Sequence, residues 1–149
     1  MNSLFDSATH REVVRRVESI RQDSPRLWGK MSPAQMLEHT ARALEMATGR
    51  KRTKQALIGK LISWAVRKDF VGEKPFGKNG PTGPDFIVHG EPDFQESREK
   101  LTALLNEFHG LGVKGCDGNI HGFFGKMTGN EWGVTQYKHM DHHLRQFGA

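Results

Sequence analysis

The sequence predicts an all-α fold: a four-helix bundle with an extra short helix and long irregular loops. Three observations predict it. Apolar residues recur at the i, i+3/i+4, i+7 spacing of an amphipathic helix in five separate segments. Ser or Thr followed three residues later by Gln or Glu, the signature of a capping box, occurs at Ser32/Gln35 and Thr128/Glu131, each ahead of such a segment. Glycine is dense from Gly72 to Gly90 and from Gly110 to Gly129 and sparse elsewhere, which separates loops from helices. At 149 residues the chain suffices for one well-packed core, so a single domain spanning 1–149 is expected.

Helix one is expected to begin after Ser7 or Thr9 and to run to about Gln22, with Val13, Val14, Val17 and Ile20 in its apolar stripe. Helix two has the clearest start in the chain. Ser32 caps, Pro33 fits the first helical position, Gln35 completes the capping box, and Gly49 supplies the stop. Helix three should cover about Thr53 to Lys68, with Leu57, Leu61, Trp64 and Ala65 on one side and Ile58 and Ile62 beside them. Lys74 to Asp93 holds four of the six prolines and reads as an irregular loop, in which Asp85 to His89 is a short extended piece with no partner strand. Helix four is expected from about Asp93 to Phe108, closing at Gly110, and helix five from the Thr128/Glu131 capping box through Phe147 to Gly148.

Three of the eight histidines fall within five residues, His139-Met140-Asp141-His142-His143. On a helix, positions i and i+4 differ by only about 40°, so His139 and His143 lie one turn apart along the edge of the face that Trp132 shares. That spacing lets two imidazoles grip one metal ion. His142 lies about 100° from His143 and cannot easily join. A catalytic site of this kind takes three protein ligands and keeps a position open. His39, at the rim of the apolar arc of helix two, is the best third candidate, since a bundle core can take one ligand from one helix and two from another. Imidazole suits zinc, nickel, copper and iron alike.

An ion held this way polarises a carbonyl, or lowers the pKa of a water or thiol, and the expected activity is that of a transferase or hydrolase acting on a small molecule. A hydrolytic reading also needs a base, for which Glu38, Asp141, His142 and His121 are the candidates. Helical phase puts Glu38 and Asp141 outside the apolar faces, as solvated carboxylates. His121 lies on a glycine-flexible loop before the ligand helix and is the candidate catalytic residue. Cys116 reads as a thiol in a turn.

The formal charge is +5, with 22 Lys and Arg against 17 Asp and Glu. All of the excess is local. Arg50 to Lys68 contains seven basic residues and no acidic one, leaving 15 basic and 17 acidic residues elsewhere. The alternative to an enzyme is therefore a basic binding module that uses Arg50–Lys68 for nucleic acid or anionic surfaces, with the histidines structural. A third use of the segment would be to steer an anionic substrate toward the metal. No recognised nucleic-acid-binding motif is present, which disfavours nucleic acid as a partner; a homodimer stays open. The longest apolar stretches fall far short of the roughly 20 residues that span a bilayer. A single cysteine cannot close an internal disulfide and the first residues do not read as a signal peptide, so a soluble, cytoplasmic protein is expected. Gly125-Lys126 fails as a P-loop, because Ile120 stands where the first glycine belongs and Met127 where Ser or Thr is required.

Two blocks resemble a known family. They are Leu27-Trp28-Gly29-Lys30-Met31-Ser32-Pro33-Ala34-Gln35-Met36-Leu37-Glu38-His39, and Phe124 to Gly133 followed by Tyr137 to Gly148. Both look like a bacterial branch of the DinB/YfiT-like superfamily. The resemblance implies a four-helix bundle with a three-histidine metal site, commonly zinc or nickel, whose ligands here are His39, His139 and His143. It also implies a low-molecular-weight thiol as co-substrate, because relatives include thiol-dependent S-transferases and a mycothiol-dependent maleylpyruvate isomerase. His121-Gly122 departs from the His-Pro common in that family.

Overall fold

A computed structural model describes residues 1–72 and 74–149. Among these the protein is mostly helical, with five α-helices and one two-stranded sheet. Helix α1 spans Ser7–Ser19. Its cap is Asp6, whose carboxylate accepts from the Ala8 and Thr9 N–H groups, so the helix starts beside the expected Ser7 but on a stronger acceptor, and it stops three residues before Gln22. Helix α2, Pro33–Ala47, carries the expected capping box in full, and Gly49 follows at φ 77°. Helix α5, Gly129–Gln146, carries the second box between Thr128 and Glu131. Helices α1, α2 and α5 pack with α4, Phe94–Cys116, around Val17, Leu37, Leu44, Leu105, Phe108, Trp132 and Leu144.

Four expectations need correction. Helix α4 does not close at Gly110 but continues to Cys116, bending at Gly112, where φ 63° interrupts the helical geometry. In place of an extended piece at Asp85 to His89, Pro84–Phe86 forms one 3₁₀ turn. A minimal antiparallel hairpin, β1 Ile120–His121 with β2 Gly125–Lys126, closes the glycine-rich loop before α5. Helix α3, Leu57–Val71, starts four residues late, and its apolar face is turned outward. Only Gly59 is buried on it, because the helix backbone lies directly on the Phe123 carbonyl with no room for a Cβ.

Candidate metal centre

The two capping boxes fix where α2 and α5 begin and hence the phase of every side chain along them. That phase brings His39 of α2 against His139 and His143 of α5. Their ring centroids lie 4.9, 4.7 and 4.7 Å apart in pairs, and one ligand nitrogen from each ring falls within 4.8 Å of the others. His39 and His143 are buried and His139 is half-buried, so His39 sits deeper than the rim position its sequence implied.

The hydrogen-bond partners assign the tautomers. His39 Nδ1 is 2.9 Å from the Phe86 carbonyl, so Nδ1–H donates and Nε2 keeps its lone pair. His143 Nδ1 is 2.9 Å from Gln146 Oε1. The orientation of that amide is set independently, because Gln146 Nε2 donates to the Trp28 carbonyl at 2.7 Å. His143 is therefore also protonated on Nδ1, with Nε2 free to ligate. Between His39 Nε2 and His139 Nε2 the distance is 2.9 Å. A shared cation satisfies lone pairs converging at this separation, and the donor set fits a divalent transition metal.

Burial also keeps the three rings neutral. Desolvation, reinforced by the neighbouring imidazoles, holds His139 well below its ordinary value and pushes His143 down to about 3. Desolvation lowers His39 as well, partly opposed by its bond to the Phe86 backbone. Neutral imidazole is the ligating form, so protons compete weakly for this site.

The remaining candidates stand apart from the triad. His142 packs edge-on against Trp28 and next to His143, with centroids 5.8 and 5.0 Å away, outside the ligand cluster as helical phase requires. His121, in β1, accepts the Phe123 and Phe124 N–H groups on Nδ1 at 3.0 and 3.2 Å. Burial among Phe70, Phe124 and Trp132, with the Arg67 charge adding to it, pushes His121 down to about 4. With Nδ1 engaged, it presents an Nε2–H donor and no basic lone pair. Neither acidic candidate is a solvated carboxylate. Glu38 accepts from Arg42 and Lys100 at 3.0 and 3.2 Å, and half-buried Asp141 accepts from Arg16 and forms an ion pair with Arg145, at 3.0 Å each. Cys116 is not in a turn; it is buried at the end of α4, which pushes its thiol up to about 11 and leaves it inert.

The basic segment is partly neutralised. Arg50 pairs with Glu107 at 2.7 Å and Lys51 with Asp85 at 3.9 Å. Arg67 grips Glu131 in bidentate fashion and also donates to the Phe124 and Lys126 carbonyls, clamping α3 to the hairpin and to the α5 capping box.

Fold and site together define a helical protein with a three-imidazole cluster, the tautomers of His39 and His143 set, at the meeting of α2 and α5. A family model described as "Protein of unknown function (DUF1569)" matches residues 4–149, and the chain belongs to that family. No curated protein and no solved structure matches it. The family match corrects the resemblance to the DinB/YfiT-like superfamily: the family that covers the chain is DUF1569, and the ligand set rests on its own geometry.

Proposed function

We propose that the protein is a metal-dependent enzyme in which His39, His139 and His143 hold one divalent transition ion, zinc or nickel. The observation that carries the reading is the convergence of three neutral imidazoles, two of them fixed by Nδ1–H bonds to Phe86 and Gln146. When bound, such an ion supplies Lewis acidity and lowers the pKa of a water or thiol at its open positions. Around it Phe86 lies edge-on against His39, whose Nδ1–H its carbonyl accepts, and Trp28 lies edge-on against His142. The same reading takes the chain as one domain, α1, α2, α4 and α5 as its four-helix bundle, and the cytoplasm as its compartment.

Of transferase and hydrolase chemistry on a small molecule, the surroundings favour the first. Glu38 and Asp141 are consumed by ion pairs and His121 has no free lone pair, which leaves His142, beside His143, as the one candidate base for a water nucleophile. A low-molecular-weight thiol needs none, because an ion that brings a bound water only to a pKa of about 7 deprotonates a coordinating thiol outright. Elemental analysis of protein purified without a histidine tag tests the first step. About one equivalent of metal, lost in His143→Ala, is expected; less than about a tenth of an equivalent in both proteins refutes the centre. Metal-loaded protein is then assayed with thiols plus electrophiles and, separately, with esters; turnover confined to the ester arm overturns the thiol preference.

A further inference from the structure

We propose that the outer face of α3 is a docking surface for an anionic lipid bilayer. The helix is built inside out. Leu57 and Trp64 are each 78% exposed and Leu61 69%, with Ile58, Ile62 and Val66 exposed beside them. At about 100° per residue, Leu57, Ile58, Leu61, Ile62 and Trp64 fall within one arc of roughly 160°, while Gly59, Ser63, Arg67 and Phe70 occupy the arc that faces the protein. The uncovered apolar area is on the order of several hundred Å², the level that marks an interaction site on a soluble protein. This surface is firmly mounted. Arg67 binds Glu131 and two hairpin carbonyls, and Lys138 Nζ donates to the Asp69, Phe70 and Gly72 carbonyls at the helix end.

Charge selects the occupant. Lys60 and Lys68 on α3, and Arg52 and Lys54 in the segment leading into it, are exposed and form no ion pair among the described residues. Asp69 is the only acidic residue from Arg50 to Asp69. A second copy of the chain would bring this face against itself, stacking the same four cations on one another. A nucleic acid would satisfy the cations but leave five aliphatic chains and an indole against polar phosphates and base edges. An anionic bilayer satisfies both features at once. Leucine, isoleucine and tryptophan sink to the level of the headgroups, and the flanking lysines reach the phosphates with their stems along the apolar layer.

The inference stands on α3 and is independent of the histidine centre. The test is co-sedimentation of the full chain with vesicles of phosphatidylcholine containing about 30% phosphatidylserine, against pure phosphatidylcholine, followed by the tryptophan fluorescence shift that Trp64→Phe removes. Binding to the anionic vesicles alone is expected, weakened by added salt and lowered at least about tenfold both in Leu57→Ser/Leu61→Ser and in Lys60→Glu/Lys68→Glu. These positions are exposed, so the variants should keep the wild-type circular dichroism, and Lys60→Glu/Lys68→Glu leaves the apolar chains intact as a second arm. Three results would overturn the proposal: no preference for anionic vesicles, a concentration-dependent dimer that Leu57→Ser/Leu61→Ser disperses, or duplex DNA binding that outcompetes the vesicles.

Discussion

Lys138 is the buried cation on which the placement of α3 depends, and its removal has a calculable consequence. The residue is 6% exposed, and its ammonium reaches the Asp69, Phe70 and Gly72 carbonyls at 3.1, 2.8 and 2.7 Å. Helix ends leave their last carbonyls without partners, and a left-handed glycine commonly satisfies them. Gly72 instead takes φ −79°, ψ −179°, so the lysine does that work from a neighbouring helix. Each charge-assisted bond contributes about 1.5–3 kcal/mol. Taking the ammonium out of water offsets several kcal/mol of that total, and the same desolvation lowers the Lys138 pKa. Lys138→Met keeps the stem and removes the charge, and the expected net loss is about 2–3 kcal/mol in urea unfolding. Hydrogen exchange should quicken in α3 peptides and stay unchanged in α2 and α4. A loss below about 0.5 kcal/mol with unaltered α3 protection would refute the capping role.

Gln146→Leu removes the acceptor that orients His143 while keeping the bulk, so metal affinity should fall about 10- to 100-fold in a chelator competition, and an unchanged affinity would contradict the assigned tautomer. In the metal-free protein, unfolding releases His121 from about 4 to the ordinary 6.5. The unfolded state then binds the extra proton, so this contribution is complete above about pH 6.5 and is lost as the pH falls toward 4, at up to about 1.4 kcal/mol per pH unit. Urea midpoints in chelator at pH 7 and pH 5 measure it together with the same-signed contributions of His39, His139 and His143; a higher midpoint at pH 5 would be the wrong sign. Gly59→Ala drives a Cβ into the Phe123 carbonyl, and a loss of about 2 kcal/mol with faster proteolysis within α3 is expected.

What the sequence made legible depended on local signals. Both capping boxes were readable because each uses a Ser or Thr and a Gln or Glu three residues apart, and both formed. Because those caps fix helical phase, the His139/His143 pair and the exclusion of His142 followed from spacing alone. His39 was found from its helix, but its burial was not, since the 3₁₀ turn that brings the Phe86 carbonyl over it has no periodic signature. Gln146 carried a usable signal, standing three residues after His143 on one helical face. Periodicity also misled at α3, where an apolar stripe identifies a face and cannot say whether the chain's own core covers it. Helical phase puts Asp141 off the ligand face and so predicts a solvated carboxylate; the arginine that half-buries it, Arg16, arrives from α1, far away in sequence. Gly110 shows a further limit: it reads as the stop of its helix, yet the helix passes it and bends only at Gly112.

The central claim is that three imidazoles close on one ion. X-ray absorption at the metal edge of zinc-loaded protein tests it most directly. Three imidazole nitrogen scatterers at about 2.0–2.1 Å plus one exchangeable oxygen ligand are expected, falling to two imidazoles in His39→Ala. A sulfur shell at about 2.3 Å, or a spectrum unaltered by His39→Ala, would contradict it.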